Sequence, residues 1–179
     1  ASIAKDFYGK DTDLKTEAFQ EGDSLDQLKI PAHTFHVFLR GRKKETPIYM
    51  AVSQKGGKVL WMTDPRPVDR AELDRKEAQK KALDYLKSKG FDNMEPNYYL
   101  KYDGSILFNF AAKEDDVVIY PDLIKVKVAL DTGEVIGFDA SAYYMNHHKR
   151  DLKEPSVSLE EARGKLREKF EVNSERLAL

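Results

Sequence analysis

The sequence predicts an α+β fold made of tandem units, each a helix packed on a four-stranded antiparallel sheet. Three observations predict it. Two helix-start signals recur 158 − 74 = 84 residues apart, and two strand, glycine-turn, strand segments recur 133 − 57 = 76 residues apart. Between them lies one full set of elements, a helix followed by four strand-like runs. Two unrelated signals with nearly one period mark internal duplication.

The elements follow in order. Residues 3–9 read as the tail of a helix entered in the middle, so the chain reads as a fragment. Strands are expected near 14–19, 34–40, 48–53 and 58–62, the last two flanking Lys55-Gly56-Gly57. Period-two alternation on both sides of a glycine turn is the mark of a hairpin. Asp64-Pro65-Arg66-Pro67 is a linker, because proline cannot extend the preceding element. This closes a first unit at 1–66.

The second unit, 70–150, is complete. Asp74-Arg75-Lys76-Glu77 is a capping box, with an N-cap oxygen three residues before a glutamate. Ala78, Ala82, Tyr85 and Leu86 then share one helix face, and Gly90 stands where a left-handed C-terminal cap is wanted. Strands follow at 97–102 and 105–112 across Asp103-Gly104, and a hairpin at 125–135 turns through Asp131-Thr132-Gly133. Apolar helix and sheet faces must cover one another, which fixes the layer pair. A second linker at Lys153-Glu154-Pro155 leads to a third unit at 156–179. It opens with the capping box Ser158-Leu159-Glu160-Glu161, carries the stripe Ala162, Leu166 and Phe170, and ends in a strand after Ser174 that needs a pairing partner.

Composition narrows function. The chain has 41% hydrophobic residues, enough for a core, and 30 basic against 31 acidic residues. That balance opposes bulk nucleic-acid binding, which needs a basic face. With no cysteine, thiolate metal sites and cysteine nucleophiles are excluded. The start, Ala1-Ser2-Ile3-Ala4, does not have the form of a signal peptide, and no apolar run approaches a bilayer-spanning length.

Candidate chemistry is sparse. His147 and His148 are adjacent and would point to opposite faces of a strand; His33 and His36 lack acidic partners at ligand spacing. Glu114-Asp115-Asp116 reads as a solvated turn, and the threonine of Asp131-Thr132-Gly133 sits at a hairpin tip rather than a nucleophile elbow. No phosphate-cradling glycine motif occurs. The expectation is a non-enzyme with no cofactor and no metal.

The Asp131-Thr132-Gly133-Glu134-Val135 turn after Val126-Lys127-Val128-Ala129-Leu130, following a capped helix, resembles the PepSY module. The runs Val118-Ile119-Tyr120-Pro121-Asp122-Leu123-Ile124 and Tyr143-Tyr144-Met145-Asn146-His147-His148-Lys149-Arg150 are similar to the C-terminal PepSY-repeat region of the YpeB spore-germination family of bacilli. The resemblance implies a non-catalytic module that stabilises or regulates the cortex-lytic hydrolase SleB. It implies a location in the spore, at the outer side of the inner membrane or in the cortex region. Any membrane contact would be made by an N-terminal region that this stretch does not include.

The residues themselves suggest where a partner would dock. If Leu100, Ile106, Phe108, Phe110, Val126 and Val128 face the helix, then Tyr99, Lys101, Asn109, Lys113, Lys125 and Lys127 face outward. A tyrosine among lysines suits protein docking. Lys76, Lys80 and Lys87 form a second, helical basic stripe. The alternative is a carbohydrate-binding module for cortex peptidoglycan, presenting Trp61, Tyr98, Tyr99 and Tyr102; alternation turns half of those tyrosines toward the helix.

Overall fold

A computed structural model describes residues 1–9, 11–19, 29–41, 46–115, 117–153 and 156–165. In chain order the elements are α1 (Ser2–Tyr8), β1 (Leu14–Phe19), β2 (Ala32–Leu39), β3 (Ile48–Ser53) and β4 (Val59–Thr63). These are followed by α2 (Arg75–Ser88), β5 (Met94–Tyr102), β6 (Ser105–Glu114), β7 (Val117–Ala129), β8 (Val135–Asp139), α3 (Ser141–Asn146) and α4 (Leu159–Gly164). The final strand expected after Ser174, and Leu166 and Phe170 of the third stripe, lie outside the described residues.

The strands form one antiparallel sheet in the order β1-β2-β3-β4-β8-β7-β6-β5. Each half is a four-stranded meander, and the halves meet through β4 and β8, with Met62 opposite Phe138. The second half repeats the first at the interval read from the glycine turns. Both hairpins carry a register shift at equivalent places, Ala51/Val52 and Lys127/Val128, and 127 − 51 = 76. At that interval Met62 is equivalent to Phe138, so the joint lies on an approximate two-fold axis. A one-residue extra in each hairpin sharpens the local twist.

One sheet face carries the helices. Ala78, Ala82 and Leu86 of α2 are fully buried over Ile106, Phe108, Phe110, Ile124, Val126 and Val128. Two alanines in the stripe let the helix backbone lie close to the strands. The capping box at Asp74 and Glu77 is formed in both directions, and Gly90 follows the helix at φ +83°. The second box, Ser158 with Glu161, is formed at α4.

On this face α1 and α2 meet over the joint. Phe7 lies 5.7 Å from Phe138 and 6.0 Å from Tyr85, ring centre to centre. The Lys89 ammonium donates to the Phe7 carbonyl and lies 4.7 Å from the Phe7 ring. It thereby caps the C-terminal end of α1, and burial holds its pKa below that of a free lysine.

The first strand of the expected hairpin at 125–135 is longer than the sequence indicated. β7 begins at Val117 and tolerates Pro121 because residues 120–122 form a bulge without register partners: Ala112 pairs with Ile119 and Ala111 with Leu123. A bulge is one of the few places where a strand can hold proline, since no ladder amide is needed there. Below the bulge a small satellite core of Ala112, Val117 and Ile119 is packed by Tyr143 and Leu152.

Candidate functional site

The face opposite the helices is not covered by a helix among the described residues, and the strand register defines what it displays. One transverse row runs Ala51, Trp61, Asp139, Lys125, Asn109; the next runs Tyr49, Thr63, Gly137, Lys127, Leu107, Leu100. Lys125 and Lys127 therefore stand on this open face as expected. Lys125 lies 3.9 Å from Asp139, and the Lys127 ammonium sits 4.7 Å from the centre of the Tyr102 ring.

Two expected members of the outward set are elsewhere. Tyr99 pairs with Phe108 and Lys101 with Ile106, which places both on the helix side. Tyr99 packs 6.3 Å from Phe108 with the Arg75 guanidinium 5.2 Å from its ring. The cause is the two-residue Asp103-Gly104 turn, which pairs Tyr102 with Ser105 and hence Lys101 with Ile106 and Tyr99 with Phe108. Pro96 pairs with Phe110 and Tyr99 with Phe108, so β5 advances three residues while β6 advances two. This bulge changes the phase only of the part of β5 that precedes Tyr99. Leu100 and Tyr102, not Tyr99 and Lys101, face the open side.

Lys113 is apart from the pair, four residues along β6 from Asn109, the register partner of Lys125, and lies 3.8 Å from Glu95. Asn109 is buried, with neither end of its carboxamide hydrogen-bonded. Lys76, Lys80 and Lys87 are exposed on α2, away from its buried stripe.

Large exposed apolar side chains concentrate at one place. Tyr98 (49% exposed), Tyr99 (43%), Leu100 (47%) and Tyr102 (49%) are all on β5, the edge strand of the sheet. An edge strand also presents unpaired backbone groups, and native proteins ordinarily blunt such edges with charge or cover. Only Lys101 interrupts this run in the sequence.

Beside the edge, a groove of about 930 Å³ lies over the open face. Its floor includes Trp61, Leu107, Lys125, Lys127 and Asp139, and one rim is the 64–71 segment that joins the halves. That segment is more than a linker. Arg66 clasps Asp131 with both terminal nitrogens, at 2.8 and 2.9 Å, and also donates to the Thr132 hydroxyl and to Glu134. The Asp69 and Thr132 amides donate to the same carboxylate, at 3.0 and 2.7 Å. These donors hold the Asp131 carboxyl well below its usual pKa, Arg66 most of all. The Glu72 and Leu73 amides then both donate to the Leu130 carbonyl. The rim of the groove is thus pinned to the β7–β8 turn.

A second clasp fixes the far end. Asp122, turned inward by the β7 bulge and fully buried, receives Arg150 at 2.7 and 2.8 Å and lies 2.7 Å from His147 Nδ1. Burial pushes this carboxyl upward, but the hydrogen bonds from Arg150 and His147 outweigh it, and the net shift is downward. Tyr143 stacks on His147 at 4.3 Å, and Asn146 donates to the Pro121 carbonyl. The two runs that carried the family resemblance, 118–124 and 143–150, are therefore one structural unit. No spacing in the sequence announced either clasp, because 65 residues separate Arg66 from Asp131 and 28 separate Asp122 from Arg150.

A helix over a four-stranded antiparallel sheet, used twice and fused strand to strand, defines a PepSY-type repeat protein with one sheet face left free of helices. The profile described as "YpeB sporulation, PepSY1 and PepSY2 domains" matches residues 1–153, and the chain belongs to that family. It is 35% identical over 160 residues to the sporulation protein YpeB of Halalkalibacterium halodurans, covering 89% of this chain and 34% of that protein. It is 33% identical over 153 residues to the sporulation protein YpeB of Bacillus subtilis, covering 84% and 34%. It thus spans about a third of the length of these relatives. The solved Bacillus megaterium YpeB C-terminal domain superposes with a TM-score of 0.83 at 29% identity, covering 99% of this chain and 76% of that one.

Proposed function

We propose that this region is a non-catalytic docking module that binds a cortex-lytic hydrolase of the SleB kind in the spore, and stabilises or regulates it. The observation that carries the reading is the concentration of exposed aromatic and aliphatic side chains on edge strand β5. Exposed apolar clusters rimmed by polar residues mark protein-binding surfaces. An extended partner segment can add to such an edge by main-chain hydrogen bonds, with side-chain pockets supplying selectivity. Tyr99 and Lys101 flank the edge from the helix side, and Leu100 and Tyr102 from the open side. Lys125 and Lys127 stand behind the latter pair as a basic rim, with Lys113 farther along β6. Lys76, Lys80 and Lys87 form a second basic surface beyond Tyr99.

The test is a direct titration of this region with the hydrolase. Tyr98→Glu and Leu100→Glu should each weaken binding by about tenfold or more while leaving the circular dichroism spectrum and melting temperature unchanged. Charge reversal at Lys125 and Lys127 should slow association and steepen no other property. Binding that survives both β5 substitutions unaltered would sink the docking-edge reading.

A further inference from the structure

The approximate two-fold axis through Met62 and Phe138 makes the open face a comparison of equivalent positions. Trp61 of the first half corresponds to Gly137 of the second, since 137 − 61 = 76, and Thr63 corresponds to Asp139. Tyr49 and Ala51 correspond to Lys125 and Lys127 at the same interval. The symmetry of the backbone is thus broken by the side chains. One side of the axis has a large ring where the other has no side chain at all.

Gly137 lets the Lys127 side chain lie directly against the strand. An added β-carbon there would lie 2.9 Å from the Lys127 β-carbon, so even alanine forces a rearrangement. Gly137 lies in the floor of the groove, between Thr63 and Lys127. Trp61 stands at one end and Tyr102 at the other, four strand spacings away, or about 19 Å. The pinned 64–71 segment forms a preset rim, and a groove of about 930 Å³ is within the size range of small-ligand sites.

The chemistry of the lining selects the ligand. Its ionised side chains are Asp64, Arg66, Asp69, Arg70, Asp103, Lys125, Lys127 and Asp139, four of each sign. A balanced groove favours neither an anion nor a cation. The backbone amides of the floor are engaged in the sheet ladders, so an occupant must be read by side chains. What remains on offer is two aromatic rings at a distance, with donors and acceptors mixed between them. That combination fits a chain of flat, hydroxyl-rich rings. Apolar ring faces stack on Trp61 and on Tyr102, where they displace the Lys127 ammonium from its place 4.7 Å from the ring centre, and hydroxyls hydrogen-bond to the Asp139 carboxylate and the Lys125 ammonium.

We propose that the open-face groove binds a neutral, extended oligosaccharide, with Trp61 and Tyr102 as stacking platforms and Asp139 with Lys125 as the central hydrogen-bonding pair. This site is distinct from the docking edge, sharing with it Tyr102 and the basic rim of Lys125 and Lys127.

Trp61 is the only tryptophan in the chain, so its emission reports on the groove directly. The intact 179-residue protein is titrated with a soluble N-acetylglucosamine tetramer and, in parallel, with cellotetraose. The expected result is a saturable change in Trp61 emission with at least one of them. Asp139→Ala should weaken the apparent Kd by about tenfold in a protein still folded by circular dichroism, its melting temperature falling only by the worth of the lost Ser141 amide bond. Tyr98→Ala, which perturbs the docking edge, should leave the titration as it is, so failure of one reading is distinguishable from failure of the other. Three outcomes would overturn the proposal: no spectral change with either sugar at millimolar concentration, a titration indifferent to Asp139→Ala, or saturation of the signal by an extended peptide and not by the sugars.

Discussion

Replacing Asp131 by alanine tests the claim that the segment between the halves is a structural strut. The side chain accepts two hydrogen bonds from Arg66 and one each from the amides of Asp69 and Thr132. It is 8% exposed, and Arg66 is 16% exposed. Removing one partner of a buried, hydrogen-bonded ion pair costs about 3–5 kcal/mol, because the surviving charge is left without its counterpart. Here Arg66 keeps Glu134, which is 61% exposed, and the Thr132 hydroxyl, so the expected loss is about 2–4 kcal/mol. Urea unfolding of wild type, Asp131→Ala, Arg66→Ala and the double variant measures it. The double variant should cost much less than the sum of the singles, since the pair acts as one unit. The acid limb gives a second reading. The folded-state pKa of Asp131 lies below its unfolded value, so its contribution is present above the unfolded pKa and fades as pH falls through the folded one. The wild-type and Asp131→Ala stabilities should converge as pH drops below about 5. A loss under about 0.5 kcal/mol, or additive single variants, would refute the strut.

The second clasp and the first capping box give further expectations. Arg150→Ala removes two hydrogen bonds from buried Asp122 and should cost about 3 kcal/mol, with α3 becoming the first site of limited proteolysis; a cut elsewhere would show that the clasp does not hold that segment. Because the Asp122 carboxyl is also depressed in the folded state, Arg150→Ala should flatten the acid-side loss of stability seen in the wild type, measured by melting temperature against pH. Asp74→Ala should lower stability by about 1 kcal/mol in urea unfolding, the usual worth of an N-cap.

The helix and hairpins were legible because each rests on short-range signals. Asp74 and Glu77 are three residues apart, and Gly57 and Gly133 each sit inside a turn whose flanks alternate. Lys125 and Lys127 were placed on the correct face for the same reason: the hairpin to β8 keeps its phase through them. Tyr99 and Lys101 were misplaced because the expectation set Leu100 on one face with Ile106 and Phe108, whereas the two-residue Asp103-Gly104 turn pairs Lys101 with Ile106 and Tyr99 with Phe108. The first part of β7 was missed because Pro121 argues against a strand, and only the bulge excuses it. Arg66, Asp122, Asp131 and Arg150 look in sequence like ordinary surface charges. Their significance is created by closure of the fold. The expected tandem of four-stranded units is present, but its fusion into one sheet required knowing which edges are complementary.

That fusion has a combining rule. Each half offers one fourth strand, and the β4–β8 joint uses both, across a two-fold axis that maps one strand onto the other. A bond between two like ends is saturated once made, as a single valence is. Further units of the same kind cannot extend this sheet through the same bond; they would have to enter at β1 or β5, the two first strands. Those edges are equivalent in origin but not in chemistry. The described outer side chains of β1 include the paired charges Lys15 and Glu17, whereas β5 carries three tyrosines and a leucine. The two ends of the ribbon are thus alike in backbone and unlike in surface, one carrying an exposed ion pair and the other an exposed apolar row.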